Sequence, residues 1–262
     1  MNGFLAALWA ETLKARRSKV PLLASIGFTL APLMDGLFMF IMKDTERARE
    51  MGLLSVKAQL AMSTADWTTF FSVLTQAIAV GGAIVFSIVT AWIFGREFSD
   101  HTAKDLLALP TSREKIVTAK LFVISAWVFA TVIWVYLVGL FVGGLLDIPG
   151  WTTELALQSL SDVFVTAGMT LLLMTPVAFI ASMGRGYLPP LAWAVLAIFF
   201  SQIIAATGWG DWFPWSVPAL YSGVIGPRSE QLGIHSYILI ILAGVAGFVA
   251  IFWWWRNADQ TR

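Results

Sequence analysis

The chain has 262 residues, 58% hydrophobic and only 13% charged, whereas soluble domains carry about 25% charged residues, so water is not its main solvent. The net charge of +1, with charges gathered in a few segments, leaves no broad basic surface for nucleic acid. The lack of Cys excludes disulfides, thiolate metal sites and a Cys nucleophile, and two His leave little for a metal constellation.

Residues 1–19 place Phe4, Leu5, Leu8, Trp9 and Leu13 at helical spacing, with Glu11, Lys14, Arg16, Arg17 and Lys19 as the polar set. This predicts an amphipathic helix on the membrane surface, with an ordinary solvated flank of the first span as the alternative. The charges follow the apolar run, the reverse of a secretory leader, so no cleavage is expected. Six stretches then reach the ~20 apolar residues that a spanning helix needs. They are residues 20–42, 68–94, 121–146, 162–183, 188–207 and 234–255 of a single transmembrane domain. The fourth and fifth are separated only by Gly184, Arg185, Gly186 and Tyr187, which predicts a tight helical hairpin.

With both termini inside, twelve Lys and Arg lie on the cytoplasmic side and five on the outer side, which favours cytoplasmic termini. The outer loop 43–67 carries four of the five, interleaved with acids, and its pattern suggests a short surface helix. Residues 208–233 hold Pro214, Pro218 and Pro227 among Trp209, Trp212, Phe213, Trp215 and Tyr221. That mixture predicts a broken outer segment, either interfacial or re-entrant.

Residues 95–120 form the one long cytoplasmic loop. Thr102 can cap a short helix whose apolar face is Leu106, Leu107 and Leu109, and Pro110 stops it before Ser112 and Arg113. A displayed amphipathic helix between two spans is a handle for a soluble partner. The order Glu97, Thr102, Leu106-Leu107, Pro110, Ser112-Arg113, Ile116 and Lys120 resembles the pattern after the second span of type-2 ABC transporter permeases. The surface helix, six spans and broken aromatic segment are similar to the same family. Length and the stretch from Phe213-Pro214-Trp215 to Tyr221 are nearest its bacitracin-resistance and lantibiotic-immunity subgroup. The match departs at His101, where the family usually has Gly before the Thr, so the start of the coupling helix is expected to be shaped differently.

The resemblance implies an all-α, six-span permease of the plasma membrane. Residues 97–109 would be a coupling helix seated on an ATPase, with Glu97 and Arg113 holding it against the inner ends of the spans. The implied coupling set is Glu97, Thr102, Lys104, Leu106, Leu107, Leu109 and Arg113. No G-x-x-x-x-G-K-[ST] occurs, so ATP and Mg are expected on a separate ATPase subunit, present in two copies. Neither H-E-x-x-H nor G-x-S-x-G occurs, and the chain is not expected to be an enzyme or to bind a cofactor itself. Within the spans, Asp35 is the one acidic group well inside an apolar stretch, a candidate for the translocation path because membrane carboxylates are costly. Gln76, Gln202 and Asp162 are weaker candidates. A homodimer is expected, its seam formed by the first span and residues 202–215, with Gly27, Ala31, Gly36, Ala205 and Ala206 allowing close approach. The expected activity is export of an amphipathic compound such as a peptide antibiotic. The alternatives are export of a lipid or cofactor precursor, or a non-transporting sensor or scaffold.

Overall fold

The structure, a computed structural model, describes residues 3–43, 64–102, 111–223 and 232–257. Among them every regular element is helical. A short helix, α1 (Gly3–Arg17), precedes the first span, which is split into α2 (Lys19–Phe28) and α3 (Leu30–Lys43). Spans two and three are the unbroken helices α4 (Trp67–Ser99) and α5 (Arg113–Leu145). Span four is α6 (Thr153–Leu172) plus α7 (Met174–Met183), and span five is α8 (Leu188–Ala206). A 3-10 turn (Gly210–Trp212) and α9 (Val217–Tyr221) lead to the last span, α10 (Ile234–Asn257). Among the described residues, six helices or helix pairs are thus long and apolar enough to cross a membrane.

The helices reach beyond the apolar stretches at two places: α5 begins at Arg113, ahead of the stretch 121–146, and α6 begins at Thr153, ahead of the stretch 162–183. A helix does not stop where its apolar run stops; Ser112 and Thr152 lead in from extended backbone, and Thr152 Oγ accepts from Leu155 N. Asp162 therefore lies inside a helix. The 33 residues of α4 and of α5 reach about 50 Å, so both rods stand well past a hydrocarbon layer of about 30 Å.

Both breaks have a local cause. Pro32 and Pro176 lack an N–H and crowd the carbonyl four residues back, which falls at Phe28 and Leu172. The turns at Thr29 and Leu173 follow directly. Thr175 Oγ1 takes over the freed Leu172 carbonyl at 3.0 Å and also donates to Gly244 O at 2.6 Å, tying α7 to α10. Gly247 makes that crossing possible, because a Cβ there would clash with Pro176 N.

The second span is the most enclosed of the six and carries the centre of the core with Phe70, Leu74, Ile78, Phe86 and Phe94. Segments that the charge asymmetry assigns to one side do gather at one end: α1, the end of α4, the start of α5, residues 184–187 and the end of α10. At the other end, Lys43 Nζ donates to the carbonyls of Leu146 and Asp147, Trp67 N donates to Pro149 O, and His235 Nε2 lies 2.9 Å from Asp211 Oδ2.

Residues 210–221 fold back between helices rather than lying across them. Gly210 sits against Ala205 and Leu220, Ser216 Oγ donates to Ser201 O, and Trp215 meets Trp193, one third of the way along α8. The segment so descends beside α8 and returns, with Val217, Pro218, Ala219 and Leu220 buried. The expected surface helix in 43–67 lies outside the described residues except at its ends.

Candidate functional site

Four charged side chains converge where α1 crosses the ends of α4 and α5. Lys120 is fully buried, and its Nζ donates to Glu97 Oε1 at 2.7 Å, to Ile93 O at 2.8 Å and to Glu11 Oε2 at 3.1 Å. Lys14 Nζ closes the ring from the other side, on Glu11 Oε1 at 2.7 Å and Glu97 Oε1 at 3.0 Å. Two acids and two bases give no net charge, which is what allows the group to be buried at all. Burial pulls the Lys14 ammonium down, but Glu11 and Glu97 beside it prevail and hold its pKa above the ordinary lysine value.

This arrangement corrects the reading of α1. Glu11 belongs not to a solvated face but to the buried one, at 5% exposure, while Leu5 and Trp9 point outward. A carboxylate enters the bundle because two ammonium groups wait there, and neither partner is near it on a helical wheel of α1 alone except Lys14. Lys120, read from the sequence as part of the family pattern and as a cytoplasmic charge, is not assigned to a site there.

Glu97 is likewise corrected: it is in the last turn of α4, not in a separate coupling helix. Helix α4 ends after Ser99 in a paired closure, with Thr102 N on Glu97 O at 2.9 Å and His101 N on Phe98 O at 3.3 Å. His101 has φ 58°, the left-handed region that Gly occupies most easily, which explains why Gly is the more natural residue at this place. Thr102 thus completes the end of α4. Lys104, Leu106, Leu107 and Leu109 lie outside the described residues.

The chain resumes at Ser112, and Arg113 opens α5, where its Nη1 donates to the Trp255 carbonyl at 3.1 Å. Trp255 Nε1 in turn donates to Ser182 Oγ at 3.0 Å. Gly95 lets the residue 184–187 link approach, since a Cβ would sit 2.8 Å from Gly186 O. One frame therefore joins α1, α4, α5, α7 and α10 around both ends of residues 103–110.

The three candidates within the spans do not meet. Asp35 is 3% exposed with neither carboxylate oxygen hydrogen bonded. Gln76 donates to Ser72 one turn back, and Gln202 faces outward on α8. What the sequence reading missed is a polar cleft of about 270 Å³ near the end of the bundle opposite α1. Thr68, Ser72 and Thr75 line it from α4, Ser159 and Asp162 from α6, and Ser222 from the folded-back segment. The spacing i, i+4, i+7 on α4 was available as a signal. Tyr221 Oη donates to Asp162 Oδ1 at 3.2 Å on its edge. Of the small residues expected at a seam, Gly36 packs on Val142 and Ala205 on Gly210 within the chain, whereas Gly27 and Ala206 are open on the surface.

A sequence model of the family described as ABC-2 family transporter protein matches residues 7–201, from α1 through most of α8. The bacitracin transport permease protein BCRB of Bacillus licheniformis is 22% identical over 192 residues, which are 73% of this chain and 91% of that protein. No solved structure matches.

Proposed function

This chain belongs to the ABC-2 family of transporter proteins, and from that premise we propose that it forms the export path of a complex whose ATP hydrolysis is done by two copies of a separate cytoplasmic ATPase. That it is the membrane subunit of an ABC exporter rests on the family match over residues 7–201, and this observation carries the reading. The geometry supports the coupling step. Residues 103–110 join the ends of two unbroken 33-residue rods, α4 and α5, so a displacement there is passed along both without a hinge to absorb it. The ionic ring and the bond from Arg113 to Trp255 keep α1 and α10 moving with them.

In this reading Lys104, Leu106, Leu107 and Leu109 touch the ATPase, while Glu97, Thr102 and Arg113 position the segment that carries them. Both termini face the cytoplasm. A second copy of the chain completes the path, because six spans supply half of a two-fold assembly that places one coupling segment over each ATPase. The cargo is an amphipathic compound, with a peptide antibiotic favoured by the relative named for bacitracin transport. Asp35, Gln76 and Gln202 are assigned to the path, together with the polar cleft lined by Ser72 and Asp162.

The test is co-expression with the cognate ATPase and measurement of ATP turnover by the purified complex. Wild type should give two copies of this chain with two of the ATPase in native mass measurement, and turnover should rise with added peptide antibiotic. Leu107→Asp should remain in the membrane and lose ATPase binding, since a carboxylate in an apolar groove is costly. Full coupling by that variant refutes the contact. Stimulation by a lipid or cofactor precursor alone would replace the cargo, and an assembled complex that no compound stimulates would point to a sensor.

A further inference from the structure

Next to the ionic ring, a cavity of about 610 Å³ opens between α1, the last two turns of α4 and Tyr187. Three cations line it, and they differ in what holds them. Lys14 is committed to Glu11 and Glu97. Arg96 gives its Nε to Asp100 at 3.1 Å and lies 5.4 Å from the centre of the Trp92 ring, which leaves its two terminal nitrogens. Arg17 is exposed and has no acceptor among the described residues. The remaining wall is apolar, with Trp9 65% exposed, Leu13 and Trp92.

The level of the cavity follows from α4, whose about 50 Å exceeds the hydrocarbon thickness and whose charged end, Arg96 followed by Asp100, lies past the apolar stretch 68–94, a position matched to lipid headgroups. Tryptophan favours that same level. A chamber with the unpaired Arg17 guanidinium, the two remaining terminal nitrogens of Arg96 and indole walls there is matched to a group that is anionic at one end and apolar at the other. Guanidinium binds phosphate in two-pronged fashion, and the ring faces cover the glycerol and first methylenes. A free phosphate ion would use the cations but leave Trp9, Leu13 and Trp92 wet.

We infer that this cavity is a binding site for the phosphate headgroup of an anionic phospholipid drawn from the surrounding bilayer, held by Arg17 and Arg96 between Trp9 and Trp92. The site stands independently of the compound that the transporter exports. It would fasten α1, and with it the ionic ring, to the membrane surface.

Arg16, one residue away, provides the control, because it lines a different and mainly apolar groove of about 410 Å³ with Leu22, Phe122 and Trp127. The full chain is purified in neutral detergent and given phosphatidylglycerol, phosphatidylcholine or inorganic phosphate, with retained lipid read by native mass spectrometry and melting followed in parallel. Wild type should retain phosphatidylglycerol and melt higher with it than with phosphatidylcholine or phosphate. Arg17→Gln should weaken retention about fivefold, as expected for one cation beside an anionic headgroup, with its melting in phosphatidylcholine unchanged. Trp9→Ala should also weaken it, and Arg16→Gln should not. Equal retention of phosphatidylcholine, an equal effect of inorganic phosphate, wild-type retention by Arg17→Gln, or an equal loss in Arg16→Gln would each overturn the site.

Discussion

Removing the Glu97 carboxylate is the sharpest perturbation of the frame around residues 103–110. Its Oε1 accepts from both Lys120 and Lys14, and its side chain is only 4% exposed, so solvent screening does little to lessen the effect. Glu97→Ala leaves Lys120 fully buried with Glu11 and one carbonyl as partners. Breaking a buried pair from one side costs about 3–5 kcal/mol, because an uncompensated charge stays behind. Removing both partners is different: Glu97→Gln with Lys120→Met leaves one acid and one base, Glu11 and Lys14, still 2.7 Å apart. Replacing a buried pair by groups of similar volume is often close to neutral. The double variant should therefore be more stable than Glu97→Ala, recovering about 2 kcal/mol or more of the loss. Unfolding of the purified chain in a graded detergent series measures this, and protease access to α1 shows where the structure opens. Wild-type stability in Glu97→Ala, or a double variant that falls by the sum of its parts, would refute the argument that these charges hold one another.

Three further outcomes follow. Single Cys residues in this Cys-free chain, read with an impermeant reagent on intact cells, should label at position 55 and not at Ser99; the opposite pattern overturns the assignment of cytoplasmic termini. Gly247→Val should destabilise by about 1–3 kcal/mol, since even its Cβ would clash with Pro176 N, and wild-type melting would mean that α7 and α10 do not cross there. Because the Lys14 pKa is raised above 10.5, its contribution is complete below pH 10.5 and is lost only as pH rises through the higher folded value. A fluorophore on Thr12→Cys should thus report α1 release only in strong alkali, and release between pH 7 and 9 would contradict the pairing of Lys14 with Glu11 and Glu97.

The spans could be read from the sequence because lipid imposes one rule on every residue of a segment: the backbone must bond within it, and the side chains must be apolar. His101 was legible only as a departure from Gly: it was expected to reshape the start of a coupling helix, whereas it takes the left-handed φ of 58° that Gly favours, in the closure of α4. The breaks at Thr29 and Leu173 were written in Pro32 and Pro176, although an apolar run hides them when only hydropathy is followed. Glu11 was not legible. On an amphipathic helix a carboxylate belongs to water unless a cation is waiting inside, and the cation that decides the matter is Lys120, 109 residues further on.

The polar cleft was hidden by the same property. Thr68, Ser72 and Thr75 look like tolerated hydroxyls of one apolar helix, and only the approach of Asp162 and Ser222 turns them into a lined cavity. Pairings within one helix turn are decided by the sequence near them, whereas pairings between helices are decided by which rods lie side by side. That is also why the coupling frame carries the functional reading further than any single residue of it does. Glu97, Arg113 and Lys120 each have an ordinary explanation alone, as a helix-end acid, a first-turn base and a flanking lysine. Brought together they tie α1, α4, α5 and α10 beside both ends of residues 103–110, and this is the support for the proposal that a partner moving that segment would move four helices at once.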